Sequence, residues 1–182
     1  MITTGNEIEI NDRYIKSILS PPTINKVLQE LSRILGFILE SDLILTPEEK
    51  NRYKGGYLCI AEMTHGTPQL LCMVGQIATD YVDKCKKRAE ESAQKVAAFH
   101  LLSSWENRNA DQDKFGGAIH ADGAIISFHG FPEWVDEAIS VSIAHSLRQI
   151  DDVTIQKIST ISCNPFIQIL IKNKIKKGHS RR

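Results

Sequence analysis

The run Ser127-Phe128-His129-Gly130-Phe131-Pro132-Glu133 brings a hydroxyl, an imidazole and a carboxylate to what the residue pattern predicts as a strand-to-helix junction. Alternate residues of a strand share a face, so Ser127 and His129 are expected to point the same way. A helix opening just beyond them offers unsatisfied backbone N–H groups, and such ends hold anions. Asp136 and Glu137 follow Glu133 early in that helix. Acids there would repel an anionic ligand, and they complement the helix dipole without any ligand, so ordinary capping is the competing explanation. His129 with Glu133 or Asp136 would alternatively form an acid–base pair for a small hydrolase or isomerase. Zinc needs three protein ligands at defined geometry, and no HExxH-like spacing occurs. His120 shares the face of His129 but lies four residues away along the strand, roughly 13 Å at ~3.3 Å per residue, too far for one ion. No metal site is expected.

Two more features adjoin the junction. Gly116-Gly117 would lie beside Phe128 and His129, where missing side chains leave room for backbone or ligand. The polar run SSWENRNADQDK carries Trp105, able to shield a pocket or to close the core, and Arg108, suited to a carboxylate or phosphate. The candidate ligand-binding set is therefore Ser127, His129, Gly130, Glu133, Asp136, Gly116, Gly117, Trp105 and Arg108, with no residue assigned a catalytic role. His65, His100 and His145 read as structural or solvated. No nucleophile elbow, GxGxxG or Walker pattern is present.

The elements around this junction follow from periodicity and turn chemistry. Asp122-Gly123 marks a tight hairpin, since both turn positions must tolerate positive φ. Pairing about it sets Ile119 against Ile126 and Gly117 against Phe128 on a core face with Ala121 and Ala124. Ala118 with Ser127, His120 with Ile125, and Gly116 with His129 take the other face. Pro132 suits the first position of the helix that follows, with Val135, Ala138, Ile139, Ser142, Ile143 and Leu147 buried and Trp134 an anchor. Upstream, Thr23 is a plausible N-cap for a helix over 24–40, whose Ile24, Val27, Leu28, Leu31, Ile34, Leu35 and Ile38 form one stripe. Tyr14, Ile15, Ile18 and Leu19 fit a short helical stretch ended by Pro21-Pro22. Residues 41–54 read as a connection. Strands are predicted over 57–63 and 68–75, apolar on both faces, which suits the middle of a covered sheet or an oligomer contact. If His65-Gly66 centres their turn, Cys59 faces Cys72 as a packed thiol pair. A long helix over 79–102 carries a small-residue stripe from Cys85 through Ala89, Ser92 and Ala93. Residues 153–161 and 166–172 read as two further strands. The expected class is α+β, a central antiparallel sheet of about five strands with helices packed against it.

Composition is that of one ordinary globular domain: 182 residues, 42% hydrophobic and 24% charged. No apolar run is long enough for a membrane span, and the N-terminus lacks the features of a secretion signal, so a cytoplasmic location is the default. Cys59, Cys72, Cys85 and Cys163 show no CxxC or zinc spacing. Net charge is zero, yet residues 172–182 hold six of the 22 bases, leaving an acidic body over 1–171 and a basic, flexible tail. That tail is too slight a basis for nucleic-acid binding.

The segment 114–147 resembles the GlcG/HbpS-like (haem-degrading-type) domain family. The resemblance rests on Gly116-Gly117-Ala118-Ile119, Asp122-Gly123, Ile125-Ile126, Gly130 and Asp136-Glu137-Ala138, and on the order of leading helix, hairpin and lysine- and alanine-rich helix. The family's Gly-Val-Ser-Gly is replaced here by Ser127-Phe128-His129-Gly130. The resemblance implies a small-molecule-binding, self-associating α/β domain, with haem or a related cofactor in some members, and assigns no haem ligand in this chain. The expected function is a non-catalytic ligand-binding or sensing domain that forms a homo-oligomer. The alternative is a protein–protein interaction module using the acidic body and basic tail.

Overall fold

Two apolar faces of a single antiparallel sheet, each roofed by helices, organise the chain. The computed structural model describes residues 2–4, 8–10, 19–112 and 115–178. Four principal strands, β3 (Lys54–Ala61), β4 (Pro68–Ala78), β5 (Ala118–Ala121) and β6 (Ala124–His129), lie in the order β4-β3-β6-β5. Two three-residue strands, β1 (Ile2–Thr4) and β2 (Ile8–Ile10), pair antiparallel with the outer edge of β4. On one face Leu58, Ile60, Leu70, Cys72, Ile126 and Phe128 pack beneath α1 (Pro21–Glu40) and α4 (Glu133–Ser146). On the other, Tyr57, Cys59, Leu71, Met73 and Ile125 meet Cys85, Ala89, Ala93 and Val96 of α3 (Val82–Phe99). Alanines at that contact let the helix axis approach the strands closely. The class is α+β with one antiparallel sheet.

The second hairpin has the register its turn demands: Ala118 faces Ser127, Ile119 faces Ile126, and Gly123 takes φ +80°. The first hairpin does not. Leu58 pairs with Cys72 and Cys59 with Leu71, one residue off the expected register, so Cys59 and Cys72 lie on opposite sheet faces. The cause is Glu62. Its carboxylate accepts the backbone N–H groups of Thr64 (2.6 Å), His65 (2.7 Å) and Thr67 (3.2 Å), and a bulge at Ile60/Ala61 absorbs the offset. A slip of one residue exchanges the faces of a whole strand. Both faces of this hairpin are covered by the chain's own helices, which removes it as an oligomer surface.

The two C-terminal strands expected over 153–161 and 166–172 are instead helices, α5 (Asp152–Ser162) and α6 (Phe166–Gly178). Asp151 caps α5 through Thr154 N at 2.8 Å, and Asn164 Oδ1 accepts Phe166 N at 2.9 Å ahead of α6. Buried Ile155, Ile158 and Ser162 follow helical spacing. Caps and packing thus outweigh the β-branched propensity that suggested strands. Residues 172–178, expected as the start of the flexible tail, continue α6, and 179–182 lie outside the described residues. Pro21-Pro22 open α1 behind the N-cap Ser20, in the first turn where proline fits. The helical stretch expected around Tyr14, Ile15 and Ile18 lies outside the described residues. The connection over 41–54 includes a short helix, α2 (Pro47–Arg52), held by a Thr46–Glu49 capping box.

Candidate functional site

The nine predicted site residues fall into two groups at the junction of β6 and α4. Ser127 and His129 share the β6 face that lies beneath α3, and both are buried. His129 Nε2 is 3.0 Å from Ser92 Oγ on α3, and His129 Nδ1 is 3.6 Å from Asp136 Oδ2 on α4. Asp136 in turn accepts Phe131 N (2.9 Å) and Gly130 N (3.4 Å). The space expected beside Gly117 is filled by His129 itself: a Cβ there would stand 3.1 Å from its Nε2, at a φ of +124°. Ser127 Oγ is buried and finds no hydrogen-bond partner among the described residues.

The second group closes over the surface. Trp105 and Trp134 stack with centroids 5.5 Å apart, and a Cβ on Gly116 would sit 2.3 Å from Trp105 Nε1. Arg108 makes a two-pronged ion pair with Glu133 (2.6 and 3.1 Å), and Glu133 also accepts Gly116 N at 3.1 Å. The fork that was to hold a ligand carboxylate therefore holds a carboxylate of the chain. Next along α4, buried Glu137 accepts Ser103 Oγ at 2.5 Å and Asn164 Nδ2 at 2.9 Å, tying the loop after α3 to the α5–α6 junction. Among the described residues no three His, Cys, Asp or Glu side chains could hold a metal ion.

Ser92, His129 and Asp136 have the residue types of a nucleophile–base–acid chain, but their setting opposes that use. Burial, with Arg88 and Lys95 nearby, pushes His129 down to about 3, and burial pushes Asp136 well up against the two N–H groups it accepts. Both shifts work against the charged forms. An imidazole so reluctant to take a proton is a poor base for a serine, since a general base works best with its pKa near the working pH. Ser92 is itself buried against the sheet. The chain Ser92–His129–Asp136 pins α3, β6 and α4 together.

Concave, accessible space lies at the end of the sheet beside this pin. A pocket of about 210 Å³ is lined by Arg52, Tyr53, Lys54, Asp80, Tyr81 and Gly130, among others. Only glycine allows its floor: a Cβ on Gly130 would meet Gly55 O at 2.3 Å and Gly56 Cα at 2.4 Å. The capped α2 delivers Arg52 and Tyr53 to one wall, and the 3-10 turn Thr79–Tyr81 before α3 delivers Asp80 and Tyr81 to another. Burial raises the Tyr81 phenol, with Cys85, Asp136 and Tyr53 adding to it and Arg88 opposing, so this phenol lies within the electrostatic reach of Asp136. Of the predicted residues only Gly130 lines the pocket. Arg52, Tyr53, Lys54 and Tyr81 carried no motif, because their convergence depends on the ends of four separate segments. No family model, curated protein or solved structure matches the chain.

Proposed function

We propose that the chain is a non-catalytic binding domain for a small anion that also carries a hydrogen-bond donor, held in the pocket at the sheet end. The carrying observation is the composition of that pocket: two cations, Arg52 and Lys54, two phenols, and a single acid, Asp80, around a glycine floor. The cations attract an anionic group, while Asp80 and the phenols accept a donor from the ligand. A non-catalytic role accords with the sealed state of Ser92, His129 and Asp136.

The resemblance over 114–147 points to the same broad class, a small-molecule-binding domain. Its haem variant does not suit this pocket, which at about 210 Å³ falls below the ~300–1,000 Å³ of sites for drug-sized ligands. The nearby His129 is occupied by Ser92 and buried.

Calorimetric titration with inorganic phosphate and with lactate tests the proposal. Binding of either is expected, with Arg52→Ala/Lys54→Ala weakening it about tenfold or more, as loss of charge-assisted hydrogen bonds implies. Binding that is absent, or indifferent to that double substitution, overturns it.

A further inference from the structure

One flank of α3 carries Lys84, Lys87, Arg88 and Lys95, spaced so that all four share one side of a helix turning about 100° per residue. They line a groove of about 530 Å³, of a size that takes a ligand larger than a simple anion. One acid, Glu91, lies among them and stands 3.7 Å from Lys87. Arg88 is held in place: its guanidinium carbon is 3.7 Å from the centroid of the Phe115 ring, and Nη1 is 3.4 Å from the Tyr81 hydroxyl. At the far end of the groove Phe99 exposes 59% of its surface. Gln112 adds an amide to the wall.

At ~1.5 Å rise per residue, Phe99 lies about 6 Å along the axis from Lys95 and about 16 Å from Arg88. An aromatic face at one end of a row of cations matches a molecule with a planar ring at one end and several negative charges at the other. We propose that this groove is a second binding site, taking a nucleoside polyphosphate with its base against Phe99 and its phosphate chain along Lys95, Arg88, Lys87 and Lys84. A compact anion would reach only one or two of these cations, whereas a triphosphate spreads its charge along the row. The groove ends where α3 ends, at the left-handed turn of His100, so its length suits one nucleotide better than a continuing strand. Arg88 lines this groove and touches Tyr81 of the sheet-end pocket, so the two sites are neighbours with separate cations.

The test is titration of the full chain with ATP, tripolyphosphate and an oligo-dT of twelve or so nucleotides. ATP is expected to bind more tightly than tripolyphosphate. Lys84→Glu/Lys87→Glu should weaken ATP at least about tenfold, while Phe99→Ser should weaken ATP roughly tenfold through lost stacking and leave tripolyphosphate unchanged. All three residues face solvent or line the open groove, and circular dichroism checks that the variants fold. Equal affinity for ATP and tripolyphosphate, with no effect of Phe99→Ser, overturns the nucleoside assignment. Oligo-dT that displaces ATP and binds more tightly as it lengthens overturns the small-molecule assignment in favour of single-stranded nucleic acid. Phosphate binding lost in Arg52→Ala/Lys54→Ala but kept in Lys84→Glu/Lys87→Glu separates this site from the pocket at the sheet end.

Discussion

At the scale of single residues, the junction after β6 shows how a constellation that looks reactive becomes a fastener. Ser127, His129, Glu133 and Asp136 stand close together in the sequence and do meet in the fold, yet each polar group except Ser127 Oγ is answered by the chain. His129 hydrogen-bonds to Ser92, which nothing in the sequence marked beyond its place on a small-residue stripe. Replacing Ser92 with alanine leaves a buried imidazole nitrogen without that partner, and the usual cost of such a loss is about 1–3 kcal/mol. Urea denaturation of Ser92→Ala should show a midpoint lowered by that energy divided by the slope, with the slope itself unchanged. A midpoint equal to that of the parent chain would show that the Ser92–His129 contact does not contribute to stability. Phosphate binding at the sheet end should survive the substitution, because Ser92 does not line that pocket.

At the scale of elements, legibility tracked how local the determining interactions are. The segment from Ala118 to Ser146 was readable because Asp122-Gly123 fixes the turn, Gly130 and Pro132 punctuate the strand end, and acids open the helix. α1 and α3 were readable from their stripes. α5 was misread because its Val, Ile and Thr residues are β-branched and favour strands, while its decisive signal, the Asp151 cap, is one side chain. The first hairpin was misread for a similar reason, since the Glu62 carboxylate organises its turn in place of a symmetric pairing about His65-Gly66. That carboxylate gives the hairpin a pH dependence. Partial burial raises its pKa, but the N–H groups of Thr67, Thr64 and His65 outweigh burial and bring it to about 2, from 4.5. A carboxylate depressed in the folded state stabilises above its unfolded value and loses that contribution as pH falls from 4.5 towards 2. Glu62→Gln should therefore cost about 1–2 kcal/mol near neutral pH, allowing for solvent screening, and the gap to the parent chain should narrow as the pH drops through that window. Parallel stability–pH curves for the two chains would refute the role given to Glu62.

At the scale of the whole molecule, the pocket at the sheet end could not be read from the sequence because it is assembled from segments far apart in the chain. The apolar hairpin that suggested self-association is consumed internally: α1 and α4 cover one face, and α3 covers the other. β4 has β1 and β2 along its outer edge, and on the β5 edge His120 N donates to Leu102 O at 2.9 Å. Among the described residues no helix is long and apolar enough to cross a membrane. Two exposed aliphatic side chains, Val153 at 61% and Ile161 at 38%, lie together on α5 beside Leu102 in a groove of about 710 Å³. The same groove carries acids, Glu106 and Asp152, and a base, Lys157. A surface with both signs beside an apolar floor can meet its own copy across a two-fold axis, acid against base and aliphatic against aliphatic. If the chain self-associates through this face, a single charge placed on it should be decisive. Light scattering across a concentration series should give a dimer for the parent chain and a monomer for Val153→Glu, with Tyr57→Phe, buried under α3, leaving the mass unchanged. A parent chain that stays monomeric at every concentration, or a dimer that survives both Val153→Glu and Ile161→Glu, would exclude α5 as the contact.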